Sequence, residues 1–161
     1  MSHQQQTLAA IREGNLPLAV AQATLWLDEG NNRPEALRCR RDLLLAAGAT
    51  TQATADALEL TTLSAAQPED FLTAAALSIA EGKTEEALTL YDRAVTLHPH
   101  SAPLLKARGA LKYRLGDTAA AAEDLKAALA LDPNIADSEL EGRHSATGKP
   151  HAATAACAGK R

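Results

Sequence analysis

The stretch Arg38-Cys39-Arg40-Arg41 sets a thiol among three guanidinium groups. Positive charge beside a thiol favours the thiolate, the form that attacks electrophiles and binds metals. The same cluster could hold a carboxylate. Its plainer alternative is a solvated helix turn balanced by Glu35 and Asp42, and that balance favours the plainer reading. His98-Pro99-His100 offers two imidazoles, but no CxxC or HxxxH spacing accompanies them, so a zinc-type ligand set is lacking. Glu85-Glu86 stands at the start of a helical segment, where acids offset the helix dipole before they do catalysis. No glycine-rich phosphate loop, GxSxG elbow or paired-carboxylate signature is found. These residues therefore predict no enzyme, no metal and no cofactor. Cys39 and Cys157 are too few for a disulfide framework, and two thiols in a reducing compartment is the simpler reading, which puts the chain in the cytoplasm.

What must position such residues is a helical chain of unusual composition. Its 161 residues suffice for a real core, yet the aromatics number only four: Trp26, Phe71, Tyr91 and Tyr113. Alanine is the commonest residue, which suits close helix–helix approach better than it suits an enzyme pocket. The net charge of −4 hides an asymmetry, because all 20 acidic residues lie at or before Glu141 and four of the 16 basic ones lie beyond Gly142. Residues 1–142 thus carry a net charge of −8, which should repel nucleic acid, since phosphate binding needs clustered Lys and Arg. No run approaches the ~20 apolar residues of a membrane span, so membrane insertion is not expected. Leu16 to Leu27 resembles a signal-peptide core, but it is in phase with the other helices and has no basic leader before it.

That phase is the dominant signal. Gly14, Gly48, Gly82 and Gly116 recur every 34 residues, and alanine follows each five residues later, at Ala19, Ala53, Ala87 and Ala121. A period of this length marks helix–turn–helix units that must stack on copies of themselves to bury an apolar face. The units run over about 2–33, 34–67, 68–101 and 102–134. Ser2, Asn15, Thr84 and Asp117 are the predicted N-caps, and Pro17, Pro34 and Pro68 suit first helical turns. In the second unit the helices are predicted at about 34–47 and 51–64. Residues 135–142 suggest a short capping helix with Ile135 and Leu140. The basic tail 143–161 lacks periodicity and reads as disordered.

The third and fourth units resemble tetratricopeptide repeats. In the fourth the resemblance rests on Leu105, Gly109, Tyr113, Gly116-Asp117, Ala121, Leu125, Ala128, Leu131 and Asp132-Pro133-Asn134. In the third it rests on Phe71, Ala75, Gly82, Ala87, Tyr91, Ala94, Leu97 and Pro99. The first two units depart from the pattern: Arg41 stands where a small residue is usual, and Trp26 and Leu60 replace an alanine. The resemblance implies an all-α fold, a right-handed superhelical solenoid of about eight helices in antiparallel pairs, with a short C-terminal helix. It further implies that the first helix of each pair lines a concave groove. The groove would present Ile11 and Arg12, then Arg38, Asp42 and Leu45, then Leu72, Ala76 and Ile79, then Lys106, Ala110, Tyr113 and Arg114. The alternative is that Leu45, Leu72 and Ile79 simply pack between repeats.

The partner implied is another protein or a peptide, bound by a non-enzymatic adaptor or assembly factor. Two alternatives are a secretion-type chaperone holding an apolar client and a structural protein that forms homo-oligomers through its C-terminal edge. Some tetratricopeptide domains clamp the acidic C-terminus of heat-shock chaperones with Lys, Asn and Arg. The corresponding places here hold Gln4, Leu8, Cys39, Glu69 and Thr73, or Arg38, Asp42, Thr73, Pro103 and Ala107, so that set is missing.

Overall fold

A computed structural model describes residues 1–135 and Cys157. Eight helices occupy the described residues, with no strand among them: α1 (His3–Arg12), α2 (Leu16–Asp28), α3 (Arg33–Ala46), α4 (Thr50–Thr62), α5 (Pro68–Ala80), α6 (Thr84–Leu97), α7 (Ala102–Arg114) and α8 (Thr118–Leu131). The expected capping helix over 135–142 and the expected disordered tail lie outside the described residues, apart from Ile135 and Cys157. Among the described residues no helix is long and apolar enough to cross a membrane.

The helices alternate with turns of only a few residues, so within α1–α4 and within α5–α8 consecutive helices fold back on one another as antiparallel neighbours. One turn geometry serves all four units. The amide of Asn15 donates to Ala10, that of Ala49 to Leu44, that of Lys83 to Ser78 and that of Asp117 to Lys112, over 2.8–3.0 Å. These are the six-to-one bonds of a Schellman closure, which satisfies carbonyls orphaned at a helix end. The closure needs a left-handed residue, and Gly116 supplies it at φ +92°. The 34-residue glycine repeat is thus the record of one turn made four times.

Capping follows prediction in three of four places. Ser2 forms a full capping box with Gln5, Asn15 accepts from the Leu18 amide, and Asp117 accepts from the Ala120 amide. Thr84 does not cap: Lys83 holds the N-cap position with no side-chain bond, and Thr84 is the first helical residue. The Schellman bond fixes Lys83 at the turn, so the threonine lies one place too late. In the second unit both helices begin one residue earlier than expected.

The described residues divide into two compact units, residues 1–66 with Cys157 and residues 67–135. In the first, α1 packs on α2, α2 on α3 and α3 on α4. Its core joins Ala10, Ala19, Ala23, Trp26, Ala36, Leu37, Leu43 and Leu60 with both cysteines. Trp26 and Leu60 take the volume that an alanine would leave, and both are buried. In the second unit α5 packs on α6, α6 on α7 and α7 on α8, while α5 also touches α7. Phe71, Ala75, Ala87, Ala94, Leu104 and Ala128 are fully buried there. Small residues set the helix spacing. A Cβ on Gly109 of α7 would stand 3.2 Å from the Ala121 carbonyl oxygen and 3.2 Å from Asp124 Cβ, both on α8. Ile135 closes the end of the second unit against Ala102, Leu105 and Ala128.

Candidate functional site

The first helix of each pair must present one face to its partner helix and leave another to solvent. None of the twelve predicted groove residues is buried. On α1, Ile11 is half-buried against the core and Arg12 is exposed. On α3, Arg38, Asp42 and Leu45 are half-buried. In the second unit α5 carries Leu72 and Ile79, half-buried, and Ala76, exposed. On α7, Lys106 is half-buried, while Ala110, Tyr113 and Arg114 are exposed. Tyr113 is 66% exposed, whereas Trp26, Phe71 and Tyr91 are buried.

Three of the polar members have partners within the chain. The Arg38 guanidinium lies 3.8 Å from Glu35 and donates to the Ala65 carbonyl at 2.9 Å. Asp42 accepts from Arg41 Nε at 2.8 Å. Lys106 Nζ donates to the Ile135 carbonyl at 2.8 Å. The basic stretch on α3 is therefore neutralised in place: Glu35 faces Arg38, Asp42 faces Arg41, and Arg40 forms a two-pronged pair with Asp56 of α4 at 2.7 and 2.5 Å. The balancing of charge by Glu35 and Asp42 is as expected, but the turn is not a solvated one: Cys39 and Arg41 are buried, and Arg40 is paired across to α4.

The cysteines correct the expectation of two free thiols. Cys39 on α3 is bonded to Cys157, with their Cα atoms 4.8 Å apart across 118 residues of sequence. Both are fully buried. The Cys157 carbonyl also accepts a 3.3 Å hydrogen bond from Gln4 Nε2 of α1. At this one position the tail is packed against α1 and α3, not loose. A count of cysteines is blind to such a pairing, because only the fold brings two positions so far apart in sequence together.

His98 lies edge-on to Phe71 with ring centroids 6.1 Å apart. Its Nε2 is buried without a hydrogen-bond partner. Among the described residues no three His, Cys, Asp or Glu side chains gather closely enough to hold a metal ion.

A second ion pair matches the Arg40–Asp56 pair. Arg108 of α7 donates through Nε and Nη2 to Asp124 of α8 at 2.8 and 2.6 Å, and Lys112 reaches the same carboxylate at 3.0 Å. Burial is the largest influence on the Asp124 carboxyl and pushes it up. The hydrogen bonds and charges of Arg108 and Lys112 together outweigh it and hold the group below its ordinary value. Arg40 and Arg108 are raised above the ordinary guanidinium value, chiefly by their hydrogen bonds to Asp56 and Asp124. Both pairs clamp a first helix to its own second helix, so they position the faces and do not belong to them. They escaped the sequence reading. The signal was there: Arg and Asp sixteen residues apart, repeated after two periods.

On α8, Leu125 and Leu129 are 38% and 43% exposed, one turn apart. Leu131 is exposed as well.

Comparison with known proteins agrees with this architecture. The profile of a tetratricopeptide repeat family matches residues 74–141. No curated protein matches the chain in sequence. Among solved structures, a tetratricopeptide repeat protein from Parabacteroides merdae ATCC 43184 superposes with a TM-score of 0.74 at 18% identity, over 87% of this chain and 56% of that one. A crystal structure of MamA gives 0.69 at 15% identity, over 83% and 73% of the two chains. A MamA fragment from Desulfovibrio magneticus RS-1 gives 0.65 at 16% identity, over 88% and 87%. Likeness at these identities is likeness of fold.

Proposed function

The chain is a tetratricopeptide repeat protein, and from that premise we propose that it is a non-enzymatic scaffold whose first-helix faces bind a peptide or protein segment. The reading makes it an adaptor or assembly factor of the cytoplasm. The observation that carries it is Tyr113, the exposed one of four aromatics, set on α7 with Ala110 and Arg114 beside it. An exposed tyrosine brings a large contact area and a hydroxyl at little cost in side-chain entropy, which is why tyrosine is enriched at binding hot spots. Leu72, Ala76 and Ile79 on α5 offer apolar surface of the kind that anchors a ligand, and α5 touches α7. A ligand with two or three apolar anchors suits this face.

The test is co-purification from the source cell with wild type and with an Ile79→Glu/Tyr113→Glu variant of unchanged helicity by circular dichroism. A partner held by wild type and lost by the variant is the expected result. The same partners on both would remove the first-helix face of the second unit from consideration.

Exposed Leu125 and Leu129 favour a second reading, self-association through α8. Light scattering over a concentration series should then show rising mass, and Leu125→Glu should abolish the rise. A constant monomer mass would end that reading.

A further inference from the structure

Two repeats of this chain carry the same arginine–aspartate pair, and only one of the two is completed by its neighbours. In the second unit Arg108 spends Nε and Nη2 on Asp124, and Nη1 on Asp92 of α6 at 3.0 Å. Asp124 in turn accepts a third bond, from Lys112. In the first unit Arg40 spends Nε and Nη2 on Asp56 in the same way. Two periods before Asp92 and Lys112, however, the chain has Thr24 and Leu44. The Thr24 hydroxyl donates to the Val20 carbonyl at 3.0 Å, and Leu44 has no polar group to offer. Arg40 Nη1 is thus without a hydrogen-bond partner among the described residues, and each Asp56 oxygen accepts a single bond there. Beside this pair lies a cavity of about 380 Å³. Thr24, Arg40, Leu44 and Asp56 all line it, and Val20 and Ala55 add apolar wall.

We propose that this cavity binds a primary carboxamide on a short aliphatic stem. A carboxamide carries a carbonyl acceptor and an N–H donor side by side. The Arg40–Asp56 pair offers the complement: a spare donor on Nη1 and spare lone pairs on the adjoining carboxylate. The ligand carbonyl accepts from Nη1 and its amide nitrogen donates to Asp56, which supplies what Asp92 and Lys112 supply in the second unit. Charge favours an uncharged occupant. The Arg40–Asp56 pair is already neutral, and Asp28 and Glu59 lie close enough to act on Arg40. A carboxylate would add a second negative charge beside Asp56, without the lysine that accompanies Asp92 about Asp124. A secondary amide holds its carbonyl and N–H on opposite sides of a trans bond, so it cannot meet both groups at once. Val20, Leu44 and Ala55 suit an aliphatic stem, and the volume falls in the range of small-ligand sites. The site is built from α2, α3 and α4 alone and does not depend on the reading of first-helix faces.

Titration of the full chain, followed by heteronuclear NMR at Arg40 Nε and at the side-chain amide of Gln52, which also lines the cavity, tests this. Isovaleramide should give saturable shifts at both groups, with a Kd on the order of 1 mM for so small a ligand. Isovalerate, its isosteric anion, and N-methylisovaleramide should each bind about tenfold more weakly or worse. Equal affinity for isovaleramide and either of these, or no saturable shift with isovaleramide, would overturn the proposal. Thr24→Asp/Leu44→Lys gives the first unit the groups that complete the pair in the second. Its affinity for isovaleramide should fall by about tenfold or more with helicity retained, and undiminished binding would refute the site. Should that variant misfold, Ala55→Leu, at an exposed position on the cavity wall, gives the same comparison by narrowing the space. N-acetylglutamine methylamide separates the two sources of such a group. Tighter binding than isovaleramide assigns the site to a glutamine side chain of a partner, and weaker binding assigns it to a free small amide.

Discussion

Asp124 receives three hydrogen bonds, two from Arg108 and one from Lys112. Removing one partner of a buried pair leaves the other charge uncompensated, so Asp124→Asn should cost about 3 kcal/mol in urea unfolding at neutral pH. The carboxyl is held below its ordinary 3.8 in the folded chain. Its contribution is therefore fully present above that value and is lost as pH falls through the lower folded one. Wild type should lose stability between neutral and acid pH more steeply than Asp124→Asn. Parallel pH curves would show that the pair contributes nothing. The repeat pattern explains why such pairs were hard to see. Positions equivalent to Arg40 and Asp56 are Ala74 and Leu90 one period on, then Arg108 and Asp124. In the first period they are Gln6 and Gln22, both within hydrogen-bonding distance of His3 Nδ1 at 3.1 and 2.9 Å. One location thus holds an ion pair, an apolar pair and an amide pair, and a search for constant residues passes over it.

Among the elements, the α7–α8 pair shows most directly how residue size sets geometry. Gly109 lets α7 approach the Ala121 carbonyl, and backbone cannot move aside as a flexible side chain can. Gly109→Leu should destabilise the chain by about 3 kcal/mol through overpacking, read as a shift of the urea midpoint. A loss under about 0.5 kcal/mol would mean the helices separate freely at that crossing. Helix positions were legible in the sequence because each turn needs a glycine with positive φ and repeats after 34 residues. Boundaries in the second repeat were legible to one or two residues, the expected end at 64 lying two beyond Thr62. Thr84 was misassigned because hydroxyl chemistry suggests a cap wherever Ser or Thr precedes a helix, while the backbone bond from Lys83 to Ser78 decides the register. The departures in the first two units were visible but not their resolution. Buried Arg41 stands in α3 where Gly109 stands in α7, and it survives burial by pairing with Asp42.

For the whole molecule, the bond across 118 residues matters more than any single helix contact. Closing a loop of that size removes conformational freedom from the unfolded chain, worth about 5 kcal/mol in the chain-entropy description. Reduction or Cys157→Ser should lower the unfolding free energy by up to that amount, seen as a fall in the urea midpoint without loss of helix at zero urea. Equal midpoints for oxidised and reduced protein would mean the unfolded chain is already compact enough for the ring not to matter. No spacing rule could have revealed this bond from two cysteines. The repeat architecture was readable because it is local and periodic; the ring closure depends on where the fold returns its far end.

That ring also governs how the protein would respond to force. Pulled by its two ends, the oxidised chain can pay out only the residues before Cys39 and those after Cys157. The 118-residue span between them, about 400 Å when extended, stays shielded from tension until the sulfurs part. A cell that reduces the bond would therefore let the helices of this span unfold under load and lengthen the tether that the protein can form between its ends.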